Sequence, residues 1–375
     1  MTFALAQECF DCKARFPLND KVFKCHCGSY SIQVTYDLGK IKKILSRPRV
    51  FLNGFGIHHW KYWMFYPIRN MHQVVSLGEG GTPLLKSRQK KGYYYKFEGM
   101  NPTGSFKDRG TTIELTHAKD LGVKETACAS TGNMGASVAA YSARAGLKCT
   151  IVVPDFAPEA KMAQIKSHGA KLLRVKGSYE KAFERVNSLW EEKRLYPTGD
   201  YAFREDGEKS IAFEIIDQFG KVPDYIVCPI GMGTLLSSVY KGLIEFKAVG
   251  LIDKLPKLVG VQANGCAPVV EAVKTGKVKE KKNPKTIAEA INCGLPSYGS
   301  TALNAVKQTK GNLVAVSDAE IMQSREEMAL EGVYVEPAGA AALAGAKKLK
   351  LKGSVICIAT GHGLKDPFVG KGLKK

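Results

Sequence analysis

Lys107 lies in the stretch NPTGSFKDRG, residues 101–110. Asn-Pro and Thr-Gly supply turn chemistry, and a helical pattern begins directly after the lysine. A lysine just ahead of a helix start sits beside unpaired backbone N–H groups and a positive dipole end, an environment that favours a free amine. A free amine is what a Schiff base with a carbonyl group requires. A lysine after a turn is otherwise a solvated side chain, so this stretch decides nothing by itself.

Three further stretches carry polar groups at the ends of strand patterns. In ASTGNMGASVAAY, residues 129–141, small and polar residues close a strand and open a helix. Ser130, Thr131 and Asn133 offer side-chain donors beside several backbone N–H groups. Such a helix start receives a carboxylate or a phosphate, and a plain N-cap is the other reading. In PIGMGTLLSS, residues 229–238, Gly-x-Gly stands between a strand and a helix, so backbone N–H groups can approach a phosphate closely. It is neither G-x-G-x-x-G nor a Walker loop. ATGHGLKD, residues 359–366, ends the last clear strand, where ligands of open parallel sheets sit. Thr360 can offer a hydroxyl to a ring nitrogen, and His362 reads as a structural residue rather than a base.

Cys9-x2-Cys12 and Cys25-x-Cys27 form two thiolate pairs twelve residues apart. Four such ligands from two turns suit tetrahedral Zn²⁺. The second turn, KCHCGS, is one residue shorter than the usual C-x-x-C-G knuckle, and His26 is an alternative ligand. A degenerate ribbon without metal is the competing reading. The remaining six cysteines read as small buried hydrophobes.

The elements that must position these groups follow from hydrophobic periodicity. Strands are predicted at CTIVVPD (149–155), KLLRVKG (171–177), YIVCPIG (225–231), KLVGVQANG (257–265) and SVICIATGHG (354–363). Helices are predicted over residues 108–122, 135–146, 158–170, 179–193 and 318–332. Strands separated by helices of this length indicate βαβ units and a mostly parallel sheet, an α/β protein. The aromatic cluster HHWKYWMFYPI at 58–68 suits packing of a Cys-rich N-terminal module onto the main body.

Composition excludes several classes. At 375 residues with 45% hydrophobic side chains the chain can bury a large core, and no segment is polar enough to be disordered. No apolar run approaches the ~18 residues of a membrane span. MTFALAQECF has no basic region before a long apolar run, so no secretory signal is expected. Ten cysteines in such a length are no disulfide scaffold, and a cytoplasmic location is expected. Gly numbers 38, where ordinary usage gives roughly 26, which means many tight turns or loops pressed against a ligand. The formal net charge of +20 comes from lysines scattered along the whole chain. It reads as a solvated surface that attracts anionic metabolites; a nucleic-acid partner is not expected.

Taken together and in this order, the motifs resemble the fold-type II pyridoxal-phosphate enzymes, the family of tryptophan synthase β, cysteine synthase and threonine synthase. Within it they are most similar to the threonine synthases. GEGGTPLLKS (78–87), NPTGSFKDRG, STGNMGAS, EPAGAAALAG (336–345) and TGHGLKD carry the resemblance, which covers nearly the whole chain. It implies a homodimeric lyase that converts O-phosphohomoserine and water to threonine and phosphate. Lys107 would be the Schiff-base lysine and shuttling base. Asn133 would bond the cofactor's ring oxygen, Gly231, Met232, Gly233, Thr234 and Leu235 would cradle its phosphate, and Thr360 would face its ring nitrogen. Ser130 and Thr131, with Asn133, would hold the substrate carboxylate, and Arg204 in YAFREDGEKS the substrate phosphate. Cys9, Cys12, Cys25 and Cys27 would form a structural zinc ribbon.

The implied organisation is a zinc-ribbon-like module at 1–40, a linker and aromatic docking segment at 41–75, and a catalytic domain at 76–375 with a smaller subdomain inserted at about 110–205. Two departures stand near the implied phosphate site. Met134 replaces a usual Thr, and Thr198-Gly199 replaces a usual Asn-Ser. A threonine or serine dehydratase, or a β-replacement synthase, is therefore the alternative within the fold; a nucleic-acid-binding ribbon protein is the alternative outside it.

Overall fold

The computed structural model describes residues 2–46, 58–155, 159–177, 179–193 and 195–366. The N-terminal part is a three-stranded antiparallel sheet of β1 (Ala4–Cys9), β2 (Arg15–Phe16) and β3 (Ile32–Tyr36), in the order β2-β1-β3, followed by helix α1 (Leu38–Leu45). Part of the segment assigned to a linker, residues 47–57, lies outside the described residues. The aromatic cluster behind it packs both ways. Trp63 meets Phe3 at 6.1 Å between ring centroids, and Tyr62 and Phe65 meet Phe213 at 5.1 and 5.0 Å.

The chain then lays down β4 (Leu84–Lys86) and β5 (Tyr93–Phe97) and enters α2 (Lys107–Asp120). A run of alternating elements follows: β6 (Glu125–Ala129), α3 (Asn133–Ala145), β7 (Lys148–Pro154), α4 (Glu159–Ser167), β8 (Lys171–Val175), α5 (Tyr179–Lys193) and β9 (Tyr196–Pro197). Its strands make one parallel sheet in the order β8-β7-β6-β9.

Two short helices, α6 (Ala202–Glu208) and α7 (Ser210–Phe219), lead back to the larger sheet. It is completed by β10 (Tyr225–Pro229), α8 (Thr234–Ala248), β11 (Lys257–Ala263), α9 (Pro268–Thr275), α10 (Gly299–Gln308), β12 (Asn312–Val316), α11 (Asp318–Leu330), α12 (Pro337–Lys348) and β13 (Val355–Ala359). The order is β12-β11-β10-β13-β5-β4, parallel except for β4 on β5. Every residue of β13 is buried, which is why VICIA reads as a continuous apolar run and not as an alternation. Among the described residues no helix is long and apolar enough to cross a membrane.

One helix pair brings the site together. Helix α6 crosses α2 so closely that a Cβ on Gly207 would stand 2.0 Å from the Arg109 carbonyl oxygen. Only glycine permits that approach. All seven residues of α6 are buried, although four of them, Arg204, Glu205, Asp206 and Glu208, carry charges.

Candidate active site

Lys107 is the first residue of α2, and no side chain caps that helix. The chain is pinned on either side of it. Phe106 N–H donates to the Thr360 carbonyl at 3.0 Å, Ser105 bridges to Gly361, and Asp108 accepts from Thr103 and from the Ser137 hydroxyl of α3. Lys107 therefore sits where the carboxyl end of β13, the start of α2 and the start of α3 meet. Its side chain is 17% exposed, and its Nζ lies 3.8 Å from Asp200 Oδ1 and 3.7 Å from Glu208 Oε1.

Two carboxylates tie the expected residues into one place. Asp200, beside Lys107, accepts from the Thr234 hydroxyl at 2.8 Å and so links the lysine to the glycine loop. Glu336, at the start of α12, accepts from Asn133 Nδ2 at 3.0 and 2.9 Å and lies 3.5 Å from Thr360 Oγ1. Burial raises the Glu336 carboxyl above the ordinary carboxylate range, against the pull of Asn133. The structure thus gathers Lys107, Asn133, Thr234 and Thr360. Ser130 and Thr131 lie in the turn that opens α3, where the Ser130 hydroxyl accepts from Gly132 N–H at 3.2 Å.

Gly231, Met232 and Gly233 form the turn between β10 and α8, and Thr234 and Leu235 open the helix. Gly233 has φ +91, and a Cβ there would stand 2.6 Å from the Tyr298 carbonyl oxygen, so glycine is required. His362 Nδ1 accepts from Leu364 N–H at 3.1 Å, and its ring stacks on Phe97.

These residues fit pyridoxal phosphate on physical grounds. The starts of α3 and α8 lack a side-chain cap, which leaves backbone N–H groups free for anions. A Cβ on Gly132 would meet nothing within 4 Å, so the turn before α3 faces open space. Among the described residues, the buried Ser105 hydroxyl, two residues before Lys107, has no hydrogen-bond partner.

Arg204 departs from expectation. It is 0% exposed, and its donors are engaged by the Gly199 and Lys107 carbonyls, the Thr111 hydroxyl and the Glu114 carboxylate. It holds the backbone of Lys107 from beneath and presents no free edge to a phosphate. The acidic partners Glu114, Asp200 and Glu208 and the bridging Glu336 were not singled out from sequence. Glu208 stands four residues after Arg204, one helical turn, which was the available signal. Burial pushes both Glu114 and Glu208 up to about 7, against the opposing pull of Arg204 and, for Glu208, of Lys107.

The four N-terminal thiols also converge. The sulfurs of Cys9, Cys12, Cys25 and Cys27 all lie within 4.8 Å of one another, with Cys9 to Cys27 at 3.6 Å and Cys12 to Cys25 at 3.5 Å. The short second knuckle closes the set without His26.

Comparison with known proteins gives the family. A profile described as pyridoxal-phosphate dependent enzyme matches residues 75–361. A threonine synthase of Methanocaldococcus jannaschii is 41% identical over 97% of this chain and 93% of its own length. One of Methanosarcina acetivorans is 39% identical, over 96% and 92%. Among solved structures, threonine deaminase isoform 2 from Solanum lycopersicum superposes with a TM-score of 0.69 at 21% identity, over 84% of this chain and 95% of that one. Maize serine racemase gives 0.66 at 24%, over 75% and 88%. Those two likenesses establish the fold, and the sequence relatives establish the lineage: the chain belongs to the threonine synthase family of pyridoxal-phosphate-dependent enzymes.

Proposed function

We propose that the chain converts O-phospho-L-homoserine and water into L-threonine and phosphate. The observation that carries this reading is identity of 41% and 39% to threonine synthases along almost the entire chain; it is supported by Asp200 standing between Lys107 and Thr234 and Glu336 between Asn133 and Thr360. When bound, pyridoxal phosphate supplies the carbonyl that joins the lysine amine and the ring that withdraws electrons from the substrate's α-carbon.

The chain's own residues do the rest. Lys107 carries the cofactor and moves protons at the substrate carbons. The Gly231–Leu235 turn and the free N–H groups of α8 hold the cofactor phosphate. Asn133 donates its amide to the ring oxygen, and the neutral Thr360 hydroxyl meets the ring nitrogen. Ser130 and Thr131, at the uncapped start of α3, hold the substrate carboxylate. Arg204, enclosed beneath Lys107, fixes the lysine's backbone through its carbonyl. Phosphate leaves the γ-carbon and water adds at the β-carbon, so the reaction balances without a further reactant.

The four cysteines hold a structural zinc ion, since four sulfurs at this spacing match its tetrahedral preference. The enzyme works in the cytoplasm as a homodimer. A dehydratase acting on threonine or serine is the second reading, favoured by the pairing of Arg204 with Glu114 and by Met134. The deciding experiment measures phosphate and threonine formed from O-phosphohomoserine beside ketoacid released from threonine and serine. Phosphate release with stoichiometric threonine supports the proposal; ketoacid release alone overturns it.

A further inference from the structure

We propose that Glu208 is the proton partner of Lys107, a positioning residue that takes the proton the lysine amine must lose before it can bond a carbonyl. The proposal rests on the reading of Lys107 as the attachment point. Glu208 closes α6, the helix that crosses α2 at Gly207, and this crossing sets its carboxyl 3.7 Å from Lys107 Nζ. The side chain is 0% exposed, and neither carboxyl oxygen receives a hydrogen bond from any described residue. A buried carboxylate without donors is costly, and such groups sit where the charge has a task. Asp200, the other carboxylate beside the lysine, is already engaged by the Thr234 hydroxyl.

The groups that face Glu208 come from four directions. Lys107 and Glu114 reach it from α2, Arg204 from its own helix with Nη1 at 3.9 Å, and Asp200 from the turn before α6. Tyr298, buried behind the glycine loop, feels its charge as well. Two cations and two carboxylates therefore bracket it, and burial brings its carboxyl to about 7, against the pull of Lys107 and Arg204. The transfer is balanced: one proton leaves Nζ and joins Oε1, and an ammonium and a carboxylate become an amine and a carboxylic acid.

The test is an absorbance–pH titration of the holoenzyme's visible band in wild type, Glu208→Gln, Glu208→Asp and Asp200→Asn. The carboxylate stabilises a protonated lysine nitrogen, so E208Q should lower the band's midpoint by at least about one pH unit, a tenfold loss of proton affinity. Its kcat should fall at least about tenfold with KM within about threefold, and the acid limb of kcat near neutrality should vanish. E208D keeps the charge, and its midpoint should stay within about half a unit of wild type. A midpoint unmoved in E208Q, or moved only in D200N, overturns the proposal; so does a one-unit fall in E208D, which covers the case of an E208Q chain that does not fold. Borohydride fixation followed by peptide mapping separates the two readings. Label on a lysine other than Lys107 defeats the attachment reading itself, whereas label on Lys107 with an unmoved midpoint defeats only the role of Glu208.

Discussion

Replacing Lys107 by alanine removes the amine that stands between Asp200 and Glu208. The holoenzyme's visible band, its fixation by borohydride and turnover should all be lost together, and an adduct persisting on another lysine would contradict the assignment. Arg204 makes a different prediction from the one its motif suggests. Arg204→Ala leaves Glu114 and Glu208 buried without their shared cation, and breaking a buried pair costs roughly 3–5 kcal/mol. Calorimetry should record a lower melting temperature, and activity toward phosphorylated and unphosphorylated substrates should fall alike. An unchanged melting temperature with a KM rise confined to O-phosphohomoserine would return Arg204 to the phosphate. At this scale the motifs single out Lys107, Asn133 and Thr360 from sequence, each at the start of a helix or the end of a strand. The sequence was silent on Glu114, Glu208 and Glu336, because a lone carboxylate looks solvated until the fold buries it.

Helix α6 shows the same limit for an element. FREDGEK carries five charged residues in seven, yet it is enclosed between α2, α8 and strand β3, whose Gln33 donates to Glu205 at 2.7 Å. Burial pushes Glu205 up to about 8, against the pull of Lys241, and Glu114 and Glu208 to about 7. Unfolded carboxyls titrate near ~4.3. Over the interval between, the folded chain holds protons that the unfolded chain has released. The stability these groups contribute is complete below the unfolded value and is lost as pH rises through the folded ones. The urea midpoint should therefore decline from about pH 5 to about pH 8, and Glu205→Gln should flatten part of that decline. A decline as steep in the variant as in wild type would show that Glu205 takes no part. Helices with a polar face were easier to read: α5, Tyr179–Lys193, coincides with the predicted span. Helix α12, PAGAAALAGAKK, is buried along Pro337–Ala346 and has no apolar stripe to detect.

For the whole molecule, alternation of strands and helices was enough to give an α/β chain with parallel sheets. The predicted strands at 149–155, 171–177, 225–231, 257–265 and 354–363 overlap β7, β8, β10, β11 and β13 and overrun their carboxyl ends by one to four residues. The three-residue β4 lies on the edge of its sheet and is too short to leave a period. The N-terminal sheet joins the body through Gln33, through Ser31 to the Ser297 carbonyl and through Tyr298 to the Ile32 carbonyl. If zinc holds that sheet, chelation should lower the melting temperature more than the initial rate, and elemental analysis should give one zinc per chain. Protein purified without chelator and free of metal would exclude the site. Behind α6, Asp206 and Glu245 share Lys209 and Lys241 in a closed set of two anions and two cations, all buried or nearly so. Loss of any one member strands an odd charge in the interior, while loss of one cation with one anion leaves the set neutral. Along any line of descent these positions are expected to drift in couples, so a library of single substitutions would score as immutable a set that paired libraries would find permissive.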